Sequence, residues 1–135
     1  MLIKITPDKE RVNSILNLIK IREEFISSQN NERFPTIIAE NYYEIIKELA
    51  TGLLLLDGLK AIGENSHRET IDNLSRYKEF PKDEIILLHD LRVKRNKSSY
   101  EGKPIEKIYI DNRKDRFIIV IQKLKKIINV KLNSK

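Results

Sequence analysis

Residues 90–102 hold the side chains of this chain that are best suited to chemistry. The segment reads Asp-Leu-Arg-Val-Lys-Arg-Asn-Lys-Ser-Ser-Tyr-Glu-Gly. Arginine binds phosphate through paired hydrogen bonds, asparagine offers a donor and an acceptor, and serine and tyrosine offer hydroxyl groups. These residue types predict an anion site. Its candidate residues are Arg92, Arg95, Asn96, Lys97, Ser98, Ser99 and Tyr100.

The position of the arginines within a predicted helix supports this interpretation. Three apolar residues precede them at the three-and-four spacing of a buried helix face: Ile85, Leu88 and Leu91. Arg92 and Arg95 continue that spacing. Because an arginine stays charged, it is costly to bury unless an anion meets it. Either the end of this helix reaches water, or a cleft opens there for a negatively charged partner.

The elements that must position these residues are predicted to be helices. The first is expected to begin at Thr6-Pro7, with Thr6 as the cap, and the second at Pro35. The third is expected to begin with a capping box of Ser66 and Glu69, which places His67 in its first turn. The fourth runs from Pro81 to Gly102, and the fifth begins between Ile105 and Asp111. Residues 1–5 alternate in polarity, which predicts an extended segment.

The second helix is predicted to be the centre of the core. Its apolar face persists for about five turns through Ile38, Tyr42, Ile45, Leu49, Leu53 and Leu56. Glu40 and Glu44 fall on the opposite face and are expected to serve solubility. Short connections between the helices predict an all-α, antiparallel four- to five-helix up-and-down bundle. We expect residues 1–135 to form a single domain.

Composition excludes several classes of site. The chain has no cysteine, and His67 and His89 are its only histidines, so we expect neither a metal site nor another cofactor. No glycine-rich phosphate loop is present. The longest apolar runs, residues 53–56 and 117–121, are too short to cross a membrane, and the first residues lack the apolar core of a signal peptide. We therefore expect a cytoplasmic protein.

Positive charge is concentrated at the end of the chain. Residues 113–135 include eight basic residues and one acidic residue, a net charge of +7. Residues 1–112 include eighteen basic and nineteen acidic residues, a net charge of −1. A basic segment favours nucleic acid as a partner. The alternative is a lysine-rich helix face that only contacts water.

The segment from Arg95 to Tyr100 resembles the signature of the HEPN (higher eukaryotes and prokaryotes nucleotide-binding) superfamily of small all-helical domains. That signature is an arginine, commonly followed by a polar residue, with a histidine four to six positions later. Arg95 and Asn96 match it, but Tyr100 occupies the position of the histidine. The central helix, followed by glycines and His67, is also similar. The resemblance in the sequence pattern extends over residues 35–128.

The resemblance implies a function. HEPN domains with the full motif are metal-independent ribonucleases, often toxins or defence proteins, and they dimerise so that two motifs face one cleft. It therefore implies a homodimer that binds RNA or a nucleotide, and a nucleotidyltransferase-type antitoxin is a possible partner. Arg95 and Tyr100 would occupy the catalytic positions. Arg92, Asn96, Lys97 and Ser99 would complete the binding shell.

The tyrosine predicts weak catalysis. The family's histidine is thought to manage the proton of the attacking 2′-hydroxyl, and a tyrosine that keeps its own proton at neutral pH is a poor base. Losing a general base typically costs about 10²–10⁴-fold in rate. The leading hypothesis is therefore binding without efficient cleavage. One alternative is an active endoribonuclease in which His67 or His89 substitutes. The other is a structural or partner-binding dimer whose arginines pair with acidic residues of a neighbour.

Overall fold

The structure is a computed structural model that describes residues 1–29 and 33–134. Its elements, in chain order, are β1 (Leu2–Lys4), α1 (Lys9–Ser28), α2 (Pro35–Leu56), β2 (Leu59–Ala61), α3 (Ser66–Asp72), a 3₁₀ turn (Asn73–Arg76), α4 (Lys82–Glu101), α5 (Lys107–Asp111) and α6 (Lys114–Leu132). The described chain is mostly helical, which confirms the predicted class at that level. No helix within these ranges is long and apolar enough to span a membrane.

Helix α2 is the centre of the structure, as its spacing predicts. It packs against each of the other five helices, most extensively against α6 and α1. Its predicted inward residues are buried, apart from the partly buried Leu56, and so is the stripe that faces them from α6: Phe117, Val120, Ile121, Leu124 and Ile128. The rings of Tyr42 and Phe117 lie 5.6 Å apart. The antiparallel up-and-down order of the helices stays a prediction.

Helix α1 begins two residues later than predicted. Its cap is Asp8, not Thr6. The Asp8 carboxylate accepts a hydrogen bond of 3.0 Å from the backbone N–H of Arg11, and aspartate is at least as good a cap as threonine. The backbone N–H of Asp8 also reaches the carbonyl of Leu55, at 3.4 Å. The start of α1 is thereby joined to the end of α2.

The predicted capping box of α3 is wrong. The cap residue is Asn65, and no side chain caps this helix start. The backbone N–H of Glu69 instead donates to the carbonyl of Asn65 at 2.9 Å, and the N–H of Ser66 donates to the carbonyl of Gly63 at 3.2 Å. These backbone bonds begin the helix one residue earlier than the motif indicates. His67 does lie in the first turn, as predicted.

A two-stranded sheet adds to the helices. The extended segment at residues 1–5 pairs, as β1, with β2 in antiparallel register, with Leu2 opposite Ala61. The sequence analysis missed β2 because three residues carry too little alternation to be recognised. Gly58 permits the tight approach: its φ is +72°, and a Cβ there would lie 2.9 Å from the carbonyl oxygen of Ile5.

The predicted fifth helix is two helices. Helix α5 ends at Asp111, and the backbone N–H of Arg113 closes a tight turn onto the carbonyl of Ile110 at 2.9 Å. Helix α6 then begins at Lys114. The approach to α5 is fixed separately, because the Thr36 hydroxyl accepts from the N–H of Ile105 at 2.8 Å. The apolar spacing, which continues across residues 110–117, does not report this turn.

Candidate functional site

The C-terminal half of α4 carries the predicted site residues, and the structure separates them. Arg92, Arg95 and Asn96 are partly buried. The Arg95 guanidinium donates to the Asn96 amide oxygen at 3.4 Å, so the two residues that match the signature are in contact. Lys97 and Ser99 are exposed. The structure therefore brings together the arginines and Asn96, and leaves Lys97 and Ser99 at the rim.

Tyr100 lies apart from this group. Its side chain is 75% exposed. It follows Arg95 by five residues, which is a rotation of roughly 140° around the helix. Tyr100 is therefore poorly placed to act on a phosphate held by Arg95 within the same chain.

Arg95 joins α4 to α2. Its guanidinium donates to the Glu44 carboxylate at 3.1 Å, and both side chains are 19% exposed. The same guanidinium lies over the ring of Tyr43, at 5.3 Å from the ring centre. Cation–π contacts of this kind are favourable, and more so away from water. Arg95 is therefore held in one position by the Glu44 carboxylate and the Tyr43 ring.

The prediction that Glu40 and Glu44 lie on a solvated face is wrong, because α4 covers that face. Glu40 accepts hydrogen bonds from the hydroxyls of Ser98 at 2.9 Å and Ser99 at 3.4 Å. Partial burial opposes ionisation of Glu44, but the hydrogen bond and charge of Lys47, with the nearby arginines, outweigh it. The pKa of Glu44 lies below its usual value as a result.

His89 contacts Arg92 and Asp72. The Arg92 Nε donates to His89 Nδ1 at 3.2 Å, and His89 Nε2 lies 2.6 Å from a carboxylate oxygen of Asp72, at the end of α3. Arg92 makes no ion pair with a carboxylate among the residues that the structure describes. The sequence analysis named His89 only as an alternative base and did not connect it with Arg92, which the structure places in contact with it.

His67 approaches the arginines from α3. Its exposed ring lies 6.5 Å from the ring of Tyr43, centre to centre. Partial desolvation and the positive charges of Lys47, Arg95 and Arg92, opposed in part by Glu44, lower the pKa of His67 below its ordinary value. Both histidines of the chain therefore lie beside the arginines of α4.

The lowered pKa predicts a pH-dependent stability. Folded His67 binds a proton less readily than unfolded His67, so the unfolded state takes up more protons as the pH falls through 6.5. We expect the free energy of unfolding to fall from about pH 7.5 to about pH 5.5. In His67→Gln this part of the decrease should disappear, as measured by urea unfolding at each pH. Parallel profiles for the two proteins would contradict the prediction.

Tyr43 lies beneath the site. Its side chain is 1% exposed, and its hydroxyl has no hydrogen-bond partner within the described chain. Burial raises its pKa to about 12, with Arg95 and Arg92 lowering it in part and Glu44 raising it. The hydroxyl therefore keeps its proton and remains a donor within electrostatic reach of both arginines. A buried donor without a partner is unusual in folded proteins.

The basic residues near the end of the chain are largely used in ion pairs. Five of them, on or just before α6, contact carboxylates elsewhere: Arg113 with Asp90, Arg116 with Asp83, Lys123 with Glu84, Lys125 with Glu23 and Lys131 with Asp57. Lys135 lies outside the described residues. These pairs reduce the positive charge that α6 presents to a nucleic acid.

Sequence reasoning missed the acidic members of the site. Asp72 and Glu44 carry no signal at the level of a motif, because each meets its partner only through the packing of α2, α3 and α4. The spacing of α4 did contain one clue: His89, Arg92 and Asn96 recur at intervals of three and four residues, and so share one side of the helix.

Nothing in the described ranges groups three His, Asp or Glu side chains closely enough to hold a metal ion. The site is instead a set of hydrogen-bond donors and two imidazoles, arranged around Arg92 and Arg95. Comparisons of the chain with protein-family models, with curated proteins and with solved structures found no match.

Proposed function

We propose that this chain is a HEPN-like helical domain that binds the phosphate groups of RNA or of a nucleotide. The observation that carries the proposal is the state of Arg92. It donates a hydrogen bond to His89, its charge helps to lower the pKa of His67, and it has no carboxylate partner in the described structure. A partly buried guanidinium in that state retains free donors that a phosphate oxygen would satisfy.

Arg95 has a supporting role in this proposal. Its pairing with Glu44 and its contact with Tyr43 fix the guanidinium, so little side-chain entropy remains to be lost on binding. Asn96, in contact with Arg95, adds a donor at the rim. The same Glu44–Arg95 pair also favours the structural alternative, in which Arg95 only ties α4 to α2. Experiment can separate the two roles, because only one of them responds to phosphate.

We propose a second copy of the chain as the partner. On α4, Ile86, Val93 and Tyr100 recur at intervals of seven residues, and they are 59%, 40% and 75% exposed. Seven residues make two helical turns, so these side chains form an apolar stripe along one side of the helix. The stripe lies next to the side that carries His89 and Asn96. If the stripes of two copies pack against each other, the two anion sites lie at one dimer interface.

A thermal-shift experiment tests the proposal. Because a ligand that binds only the folded state stabilises it, phosphate or a mononucleotide should raise the melting temperature of the wild-type protein at constant ionic strength. Arg92→Ala should lose most of that response and Arg95→Ala part of it, while light scattering shows the proposed dimer to be intact. Equal shifts in wild type and Arg92→Ala, or a monomeric wild type, would overturn it.

The active endoribonuclease remains the second candidate function. One observation favours it: the contact of His89 with Asp72 and Arg92 places a base beside the anion site, which Tyr100 does not supply. Its test is the cleavage of single-stranded RNA in the presence of EDTA.

A further inference from the structure

We infer that a cavity between α1, α2, β2 and α3 binds a small carboxylate with an alkyl chain, of the chemical class of a medium-chain fatty acid. The inference goes beyond the proposed function, because neither Arg92 nor Arg95 lines this cavity. Its volume is about 370 Å³, within the range of about 300–1,000 Å³ that small-molecule sites occupy.

The lining of the cavity has a large apolar part. Apolar side chains from three elements contribute to it: Ile15 and Leu18 from α1, Leu54 and Leu55 from α2, and Leu59 and Ala61 from β2. Leu18 is 42% exposed, so the protein itself covers its side chain only in part. A ligand with an alkyl chain would remove this apolar surface from water, which favours binding.

The length and the hydroxyl groups of the cavity favour an alkyl chain over a polar ligand. Lys47 and Leu55 both line it and are eight residues apart, which is about 12 Å along a helix. The hydroxyls of Thr51 and Thr70 also line it. They already donate to helix carbonyls, those of Lys47 at 2.8 Å and Ser66 at 2.7 Å. Neither donor is therefore available to a sugar or a nucleobase.

Two cationic side chains line the cavity where α2 ends. Arg11 lies in the first turn of α1, which the hydrogen bond from Asp8 to Leu55 joins to the end of α2, and Lys60 lies in β2. Within the residues that the structure describes, neither side chain makes an ion pair. Both therefore keep donors that a carboxylate would accept.

The remaining charges of the lining cancel against their own partners. Lys47 contacts Glu44 at 2.8 Å, and Glu48 contacts Arg22 at 3.0 Å. The uncompensated charge of the cavity is therefore positive and lies at the end that α1 and β2 form. This charge distribution fits a ligand with a carboxylate at that end and an alkyl chain that extends along α2 towards Lys47.

His67 provides a spectroscopic reporter for the cavity. It lines the cavity together with Lys47. His89, the other histidine of the chain, does not line it and contacts Asp72 and Arg92 instead. A ligand in the cavity should therefore change the surroundings of one imidazole ring and leave those of the other unchanged.

An NMR titration with octanoate tests the inference, at concentrations below those at which octanoate forms micelles and at constant ionic strength. We expect saturable shifts of the backbone amide signals of Leu18, Leu59 and Ala61. The ring signals of His67 should shift with them, while those of His89 stay in place. Acetate lacks the alkyl chain and octylamine carries the opposite charge, so both should leave these signals unchanged.

A charge reversal measures the part that the cations play. Lys60→Glu should weaken the binding of octanoate by about 10- to 100-fold, the range expected when a hydrogen bond between charged groups is lost. Lys20→Glu is the matched control, because it makes the same change at an exposed residue of α1 that does not line the cavity. Its effect should be within about twofold. Arg11→Gln should also weaken binding, and it leaves β2 untouched.

Absence of octanoate binding would overturn the inference, and so would octylamine that binds as tightly as octanoate. Equal losses of affinity in Lys60→Glu and Lys20→Glu would show a nonspecific charge effect and overturn it as well. Shifts confined to the apolar stripe of α4 would place octanoate there instead. Shifts of the cavity signals that depend on protein concentration alone would show that a second copy fills the cavity. Either result would contradict the inference, while the phosphate response of the proposed function is measured separately.

Discussion

Replacing Arg92 with glutamine should weaken the binding of single-stranded RNA by about 10- to 100-fold. Hydrogen bonds to charged groups contribute about 1.5–3 kcal/mol, and each 1.4 kcal/mol is about tenfold in affinity. Arg92 has no carboxylate partner in the described structure and only its Nε donates to His89, so its other donors are available to phosphate. Fluorescence anisotropy of a labelled strand in EDTA measures the change. The slope of log affinity against log salt concentration should also become shallower by about one, because one fewer counterion is released on binding.

Arg116→Gln is the matched control for that experiment. It removes the same charge, but from α6, where Arg116 contacts Asp83 at 3.5 Å. Its effect on RNA affinity should be within about twofold, since surface ion pairs contribute little. Arg95→Gln is informative beside it, because loss of the contact with Glu44 should also lower stability, by about 1–2 kcal/mol. Equal losses of affinity in Arg92→Gln and Arg116→Gln would show a nonspecific charge effect.

Replacing Val93 with lysine should convert the proposed dimer into a monomer. The substitution places a charge in the middle of the apolar stripe, and burying it against a second copy without a partner should weaken dimerisation by about 100-fold. Sedimentation or light scattering over a range of concentrations measures this. Circular dichroism should report unchanged helix content, because Val93 is 40% exposed in the monomer.

Because Val93→Lys adds a positive charge, its effect on RNA affinity distinguishes loss of the dimer from a change in charge. A lysine near Arg92 would by itself favour phosphate, so a loss of affinity in Val93→Lys can only follow from loss of the dimer. Val130→Lys is the control: it introduces the same residue at a more exposed valine, on α6, and should leave both dimer and affinity unchanged. A dimeric Val93→Lys would place the interface elsewhere.

Much of the fold could be predicted from the sequence because local rules determine it. Pro35 starts α2 and Gly102, at φ +67°, ends α4, both as their chemistry dictates. The apolar spacing identified α2 as the central helix. Two features were missed: the break between α5 and α6, which is a local turn closed by the N–H of Arg113 on the carbonyl of Ile110, and β2, which pairs with the distant β1.

The candidate site could be predicted only in part, for a related reason. Helical spacing tells which residues share a face, but not which element covers that face. Glu44 therefore appeared to be solvated, although it pairs with Arg95, which lies 51 positions later in the chain. His89 and Asp72 are 17 positions apart and meet only because α3 packs on α4. The residue types of the site were visible in the sequence, whereas their partners were not.

The ion pairs of α6 also affect how the protein folds while it is being synthesised. Helix α6 leaves the ribosome after every element it contacts, and until then the surface of α2 that it covers stays open to water. During that interval the earlier elements already display the carboxylates that α6 will meet, among them Glu84 and Glu23. The lysines of α6 therefore emerge opposite fixed negative charges. We expect this attraction to speed the docking of α6 onto the nascent chain, and so to shorten the time for which the apolar core is exposed to aggregation.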